Sequence, residues 1–117
     1  MSSTRSFDLV MKAVVHTADE QTALAVQELL SKDAGGLSCS PLRESQSLND
    51  CFEFMATAVV SESVKDAVLA KWDNDWDEDE ERNGTEIYWA YAFNTKMAYP
   101  DLYYLELEFR PIHSRSI

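Results

Sequence analysis

Glycine and proline are scarce in this chain, three of each in 117 residues. So few backbone punctuators exclude collagen-like and low-complexity classes. Cysteine is limited to Cys39 and Cys51, with no CxxC motif, which removes the usual signature of a disulfide scaffold or a zinc ribbon. A reduced, cytoplasmic chain with two small, partly buried thiols is the expectation, and a Cys39–Cys51 bridge stays open if the chain turns near Ser45. No apolar stretch approaches the roughly 18 residues of a spanning helix. The opening MSSTRSFDLVMKAVV carries Arg5 and Lys12 and no uninterrupted apolar run, so no export signal is read. The largest deficit is positive charge: 10 Lys and Arg stand against 21 Asp and Glu, a net −11. Direct binding to nucleic-acid phosphates or to an anionic membrane is disfavoured, because both draw on Lys and Arg.

What the chain has instead is one dense acidic run, DNDWDEDEERNGTE, over residues 73–86. It places eight carboxylates against Arg82 alone and so carries −7 of the net −11. Like charges this close repel one another and resist burial, so the segment is expected in water as a loop or an extended face. Its physical use is to attract something basic or to bind cations. Hydrophobic content of 45% with 11% aromatics speaks for a single folded domain over 1–117 with an acidic loop at 73–86.

Periodicity predicts the elements. Phe7 to Val15 alternates, with Phe7, Leu9, Met11, Ala13 and Val15 on one face and Asp8, Lys12 and His16 among the other. Thr17 and Glu20 form a capping-box signature for a helix running to about Ser31, with Ala18, Thr22, Ala25, Val26, Leu29 and Leu30 as its stripe. Gly35-Gly36 ends it. Leu37–Glu44 reads as a weak strand interrupted by Pro41, hence an edge or a bulge. Cys51–Val60 is a strong strand with Phe52, Phe54, Ala56, Ala58 and Val60 together. A short helix follows, capped by Ser63 with Asp66 or a turn earlier by Ser61, and striped by Val64, Ala67, Val68 and Trp72. Thr85–Thr95 and Leu102–Phe109 close the chain as strands. Tyr91, Phe93, Leu105 and Leu107 are assigned to the core side, and Tyr88, Tyr104, Glu106 and Glu108 to the other. The order is β-α-β-β-α-β plus one extra C-terminal strand. That is the ferredoxin-like split-βαβ order, an α+β class with two helices on one face of a mostly antiparallel sheet.

Motifs for catalysis are missing. His16 lies near Asp19 and Glu20 and could act as an oriented base, but no nucleophile motif accompanies it, and His113 belongs to the tail. Asp75, Asp77, Asp79, Glu81 and Glu86 match positions 1, 3, 5, 7 and 12 of a calcium loop. Position 6 is Glu80, where the sharp turn needs glycine, and a strand rather than a helix follows. No phosphate loop is present. No catalytic, cofactor or metal residue is therefore assigned, and no cofactor is expected.

The remaining reading is a small, acidic, non-enzymatic binding protein, an inhibitor, immunity or regulatory module. It would dock on a basic partner protein, one that itself binds nucleic acid being the sharpest case, because surface carboxylates can imitate a phosphate field. Trp72, Asp73, Asp75, Trp76, Asp77, Glu78, Asp79, Glu80, Glu81 and Glu86 are the expected contact residues, indole anchors among fixed negative charges. The alternative is a homo-oligomeric, most simply homodimeric, ferredoxin-like structural or small-ligand-binding domain, suggested by the aromatic content of residues 87–109.

Overall fold

In a computed structural model that describes residues 5–72, 76–92, 97 and 99–112, the fold is organised around its first strand, β1 (Ser6–His16). Its alternation is realised in full: Phe7, Leu9, Met11, Ala13 and Val15 are each exposed by 1% or less. Strand β1 pairs antiparallel with β4 (Cys51–Ser61), from Ser6 opposite Ser61 to His16 opposite Cys51. On its other side it pairs antiparallel with β7 (Leu102–Ile112). A register shift between Val14 and Val15 sets them opposite Tyr104 and Leu102, so Tyr103 is the extra residue of a bulge. Through that bulge Leu102 joins Leu105, Leu107 and Phe109 in the core.

The weak strand divides at Pro41 into β2 (Ser38–Cys39) and β3 (Arg43–Glu44), both paired antiparallel with β4. The missing N–H of proline interrupts the ladder there. Beyond β7 lie β6 (Glu86–Tyr91) and then β5 (Asp77–Glu80), the outermost strand. Among the described residues, seven strands thus form one sheet in the order β2-β4-β1-β7-β6-β5, with β3 also on β4. The strand count departs from expectation, five strands becoming seven among the described residues. The C-terminal strand, whose pairing the sequence left open, is a direct neighbour of β1.

Helix α1 (Glu20–Asp33) is capped by Asp19, not Thr17; the Asp19 carboxylate accepts from the Gln21 N–H at 3.2 Å and from the Thr22 hydroxyl at 2.8 Å. Its end follows the Gly35-Gly36 expectation. Gly35 (φ +81) donates to the Lys32 carbonyl at 3.1 Å and Gly36 to the Ser31 carbonyl at 2.7 Å, the paired bonds of a left-handed helix stop. The buried stripe is Ala23, Val26 and Leu30, so Ala25 and Leu29 fall outside it. Helix α2 (Glu62–Lys71) is capped by Ser61, whose hydroxyl accepts from the Val64 N–H at 3.2 Å. Its stripe keeps Val68 and Trp72, leaves Ala67 exposed, and adds Lys65.

Residues of both helices join one hydrophobic cluster with the Phe7–Val15 face of β1 and its partners from β4 and β7. No helix among the described residues covers the opposite face of the sheet. Val59 at 70% exposure and Met55 at 44% stand there on β4. Strand β6 reverses the predicted faces. Tyr88 and the fully buried Ala90 lie opposite Leu107 and Leu105 on the helix side, while Ile87, Trp89 and Tyr91 face the open side. Tyr91 packs there against Tyr104 with ring centroids 4.6 Å apart and the planes tilted by 43°. Phe93 lies outside the described residues. No helix among the described residues is long and apolar enough to cross a membrane.

Candidate functional site

From Asp77 onwards the acidic run folds into a hairpin at the end of the sheet, and hydrogen bonds around Asn83-Gly84 close it. The Glu81 N–H donates to the Thr85 carbonyl at 2.8 Å, the Gly84 N–H to the Glu81 carbonyl at 2.9 Å, and the Thr85 N–H to the Asn83 side-chain oxygen at 3.0 Å. Gly84 takes φ +86, and a Cβ added to it would meet the Pro111 ring at 3.3 Å. Asn-Gly at the tip with a left-handed glycine is the chemistry of a short hairpin loop. The segment expected as a loop or an extended face is therefore partly strand: Asp77 faces Trp89, Glu78 faces Tyr88, Asp79 faces Ile87 and Glu80 faces Glu86.

Alternation sorts these carboxylates. Asp77 and Asp79 share the open side with Trp89 and Ile87, whereas Glu78 and Glu80 share the helix side with Tyr88 and Glu86. All four side chains of β5 are exposed, as are Glu81 and Arg82. A shallow concavity of about 540 Å³ is lined by Glu78, Asp79, Glu80, Glu86 and Tyr88. Its wall is acidic with one aromatic surface, suited to a cationic group and hostile to an anion.

Glu86 stands apart from the others. Both its oxygens accept from the Lys65 ammonium, at 3.1 and 3.0 Å, and one also accepts from the Tyr88 hydroxyl at 2.5 Å. Lys65 is only 6% exposed and its ammonium lies 4.8 Å from the centre of the Phe7 ring. Burial alone would raise the Glu86 carboxyl, but the Tyr88 hydroxyl, Lys65 and, more weakly, Arg5 outweigh it and hold it below its ordinary value. Burial and the Glu86 charge push the Tyr88 hydroxyl far up. Glu86 is thus a structural tie between the hairpin and α2. Lys65, which sequence reasoning missed, is its counter-ion. Its only sequence signal is its place beside the Val64 and Val68 stripe.

The two tryptophans also separate. Trp72 is 0% exposed; its indole N–H donates to Asp33 at 2.8 Å, and Tyr99 donates to the same carboxylate oxygen. Lys71 completes the cluster 3.2 Å from the other Asp33 oxygen. Burial disfavours the Asp33 charge, yet the donors Tyr99 and Trp72, together with Lys71, hold the carboxyl below its ordinary value. Burial and the Asp33 charge raise Tyr99 to about 12. Trp72 is a core residue that locks α2 to the end of α1, so it offers a partner no surface. Trp76 is half-buried, edge-on to Tyr88 at 6.2 Å, with its N–H directed to the Leu69 carbonyl at 3.4 Å. Asp73 and Asp75 lie outside the described residues. The structure therefore brings Asp77, Glu78, Asp79, Glu80, Glu81 and Glu86 together in one hairpin with Trp76 at its start, and leaves Trp72 in the core.

The strand conformation spreads Asp77 and Asp79 along an extended chain instead of wrapping them around a centre, and Asp75 is outside the described residues. No group of three or more His, Cys, Asp or Glu side chains poised for a metal occurs among the described residues. His16 is exposed and tilted against Tyr103 at 6.4 Å, while Asp19 is committed to its helix cap. His113 is outside the described residues. Cys39 and Cys51 are free thiols, each raised by burial. Comparison with protein-family models, with curated protein sequences and with solved structures returned no match.

Proposed function

We propose that the chain is a small acidic binding protein, an inhibitory, immunity or regulatory module, that docks on a basic partner protein through the outer face and edge of the β5–β6 hairpin. One observation carries this reading: Asp77, Glu78, Asp79 and Glu80 form an exposed edge strand in which every side chain is a carboxylate. Such an edge repels a second copy of itself. Towards a Lys- and Arg-rich surface the same row is attractive, and long-range attraction raises the rate of encounter. A strand advances about 3.4 Å per residue, and each strand of B-DNA carries one phosphate charge per about 3.4 Å of axis. A fully acidic strand thus matches the linear charge density of a nucleic-acid strand, and the preferred partner is a protein that binds nucleic acid. Trp76 and Tyr88 supply the apolar ground beside the charges.

The finer fold assignment belongs to the same reading. Taking β2 and β3 as one interrupted strand, the spatial order β2/β3-β4-β1-β7 is that of a ferredoxin-like split-βαβ domain, with the β5–β6 hairpin inserted before the last strand. A second functional reading, self-association, draws on the helix-free sheet face with Val59 and Met55 exposed. Because the β5 edge is acidic and β2 and β3 are two residues each, a dimer would have to use that face.

Affinity capture from native extract separates these readings. The chain and its D77N/E78Q/D79N/E80Q variant are each used as bait at low and high salt. A basic protein retained at low salt by the parent chain, and lost from the variant, is expected. Equal retention by both baits at both salt concentrations would reject the acidic hairpin as the docking element.

A further inference from the structure

On the open face of the sheet, remote in the strand order from the acidic edge, the 40–50 segment folds over β4 and β1. The Ser45 N–H donates to the Cys51 carbonyl at 2.9 Å and the Leu48 N–H to the Ser45 hydroxyl at 3.2 Å, and Asp50 takes φ +55 to complete the turn. Val14 lies on this helix-free face yet is only 5% exposed, and with Ser45, Ser47 and Leu48 it lines a cavity that continues to Tyr91, Tyr103 and Tyr104. A larger cavity of about 410 Å³ adjoins it, lined by Lys12, Ser40, Pro41, Leu42, Arg43, Glu53, Phe54 and Met55. A third opens over Lys12, Arg43, Gln46, Ser47 and Glu53. Lys12 and Glu53 are common to all three, so these hollows form one groove with Lys12 at its junction.

The charges in this groove are unequally committed. Arg43 donates to Glu53 at 2.9 Å. Glu106, opposite Lys12 across the β1–β7 ladder, accepts from the Tyr104 hydroxyl at 2.5 Å. Lys12 itself makes no ion pair or side-chain hydrogen bond among the described residues. One uncommitted ammonium therefore stands between an apolar wall (Pro41, Leu42, Met55) and a tyrosine wall. Pockets of this size with few polar groups in an apolar lining are the usual form of a small-molecule site.

We propose that this groove binds a small aromatic monocarboxylate, with its carboxylate on Lys12 and its flat body along Tyr91 and Tyr104. A single negative charge fits because one cation is free, and a second would meet Glu53 and Glu106. A flat body fits because the Tyr91–Tyr104 pair presents ring surface, on which aromatic groups gain stacking contact. Local attraction at Lys12 overcomes the net −11 of the chain only at contact range, since the general field is screened over about 8 Å at physiological salt. The groove meets the β5–β6 hairpin at Tyr91, the last residue of β6, and includes none of its carboxylates, so the two readings stand or fall separately.

The test is calorimetric titration of the full chain with 2-naphthoate and with neutral 2-naphthamide, repeated on Lys12→Met, which keeps the apolar stem and removes the charge. Saturable one-to-one binding of 2-naphthoate is expected, weakened about tenfold or more in the variant, the scale of one charge-assisted hydrogen bond. Binding of 2-naphthamide should be weaker and indifferent to the substitution. Amide NMR shifts from 2-naphthoate should fall on Ser45–Leu48, Met55 and Tyr104, a readout that needs no variant. Absence of saturation, equal affinity in Lys12→Met, or shifts confined to Asp77–Glu86 would each overturn the proposal.

Discussion

Two parts of one acidic run, Asp77–Glu80 and Glu86, have opposite fates. At the root of the hairpin Glu86 is drawn onto a buried lysine, hydrogen-bonded by Tyr88, and held ionised. At the edge, Asp77 to Glu80 point into water, and none of them forms an ion pair among the described residues. The difference lies in position, not residue type. The turn at Asn83-Gly84 sets Glu86 in β6, one strand in from the edge, within reach of Lys65 on α2. A carboxylate in that place is spent on holding the fold, and one on the outer strand stays exposed to water, where the proposed docking would use it.

Removing the root should have the largest effect. Lys65→Ala strips the counter-ion from a mostly buried carboxylate, and such a break costs about 3–5 kcal/mol. Urea denaturation would read this as a large fall in midpoint. A loss below about 1 kcal/mol would show that Glu86 finds water instead, and the contrast between root and edge would collapse.

Next in size is the cluster around Asp33. Asp33→Ala leaves the Trp72 indole N–H and the Tyr99 hydroxyl without their acceptor, at about 2–3 kcal/mol. Asp33 and Glu86 both have carboxyls held below their ordinary values of 3.8 and 4.5. Their contribution is fully present above those values and is lost as the pH falls through the lowered ones. Stability should therefore fall with acidification from about pH 4 downwards, and the acid limb should flatten in Asp33→Asn. An acid limb of unchanged slope in that variant would remove Asp33 from the account.

The smallest effect on stability is expected at the edge. D77N/E78Q/D79N/E80Q should unfold at the same denaturant concentration as the parent chain, or slightly above it, because repulsion along the strand is relieved. A clear loss of stability would mean that these carboxylates serve the fold after all.

The same contrast governs how much could be read in advance. The faces of β1 and β4 were legible because their polar residues, Asp8, Lys12, His16, Glu53 and Thr57, all fall on one phase of the alternation, although Val10, Val14 and Met55 share it. Strand β6 misled because both its faces are apolar. The bulkier set of Ile87, Trp89 and Tyr91 looks like core, yet Leu105, Leu107 and Phe109 already fill that side, which takes the small Ala90. Strand β5 has no hydrophobic period at all; only the Asn83-Gly84 turn and the pairing partner define it. Lys65 went unread, since a lysine is buried when a carboxylate from 21 residues away arrives beside it, a contact no local pattern shows. Lys12 was placed correctly on the polar face of β1, but the groove around it depends on how the 40–50 segment folds back.

The central claim, that the edge carboxylates exist for encounter, is tested most directly by stopped-flow association of the chain with its captured basic partner across a salt series. The account predicts an association rate that falls steeply as salt rises, and a D77N/E78Q/D79N/E80Q rate that starts lower and depends far less on salt, with dissociation changed less than association. Identical association rates for the two proteins at every salt concentration would contradict it.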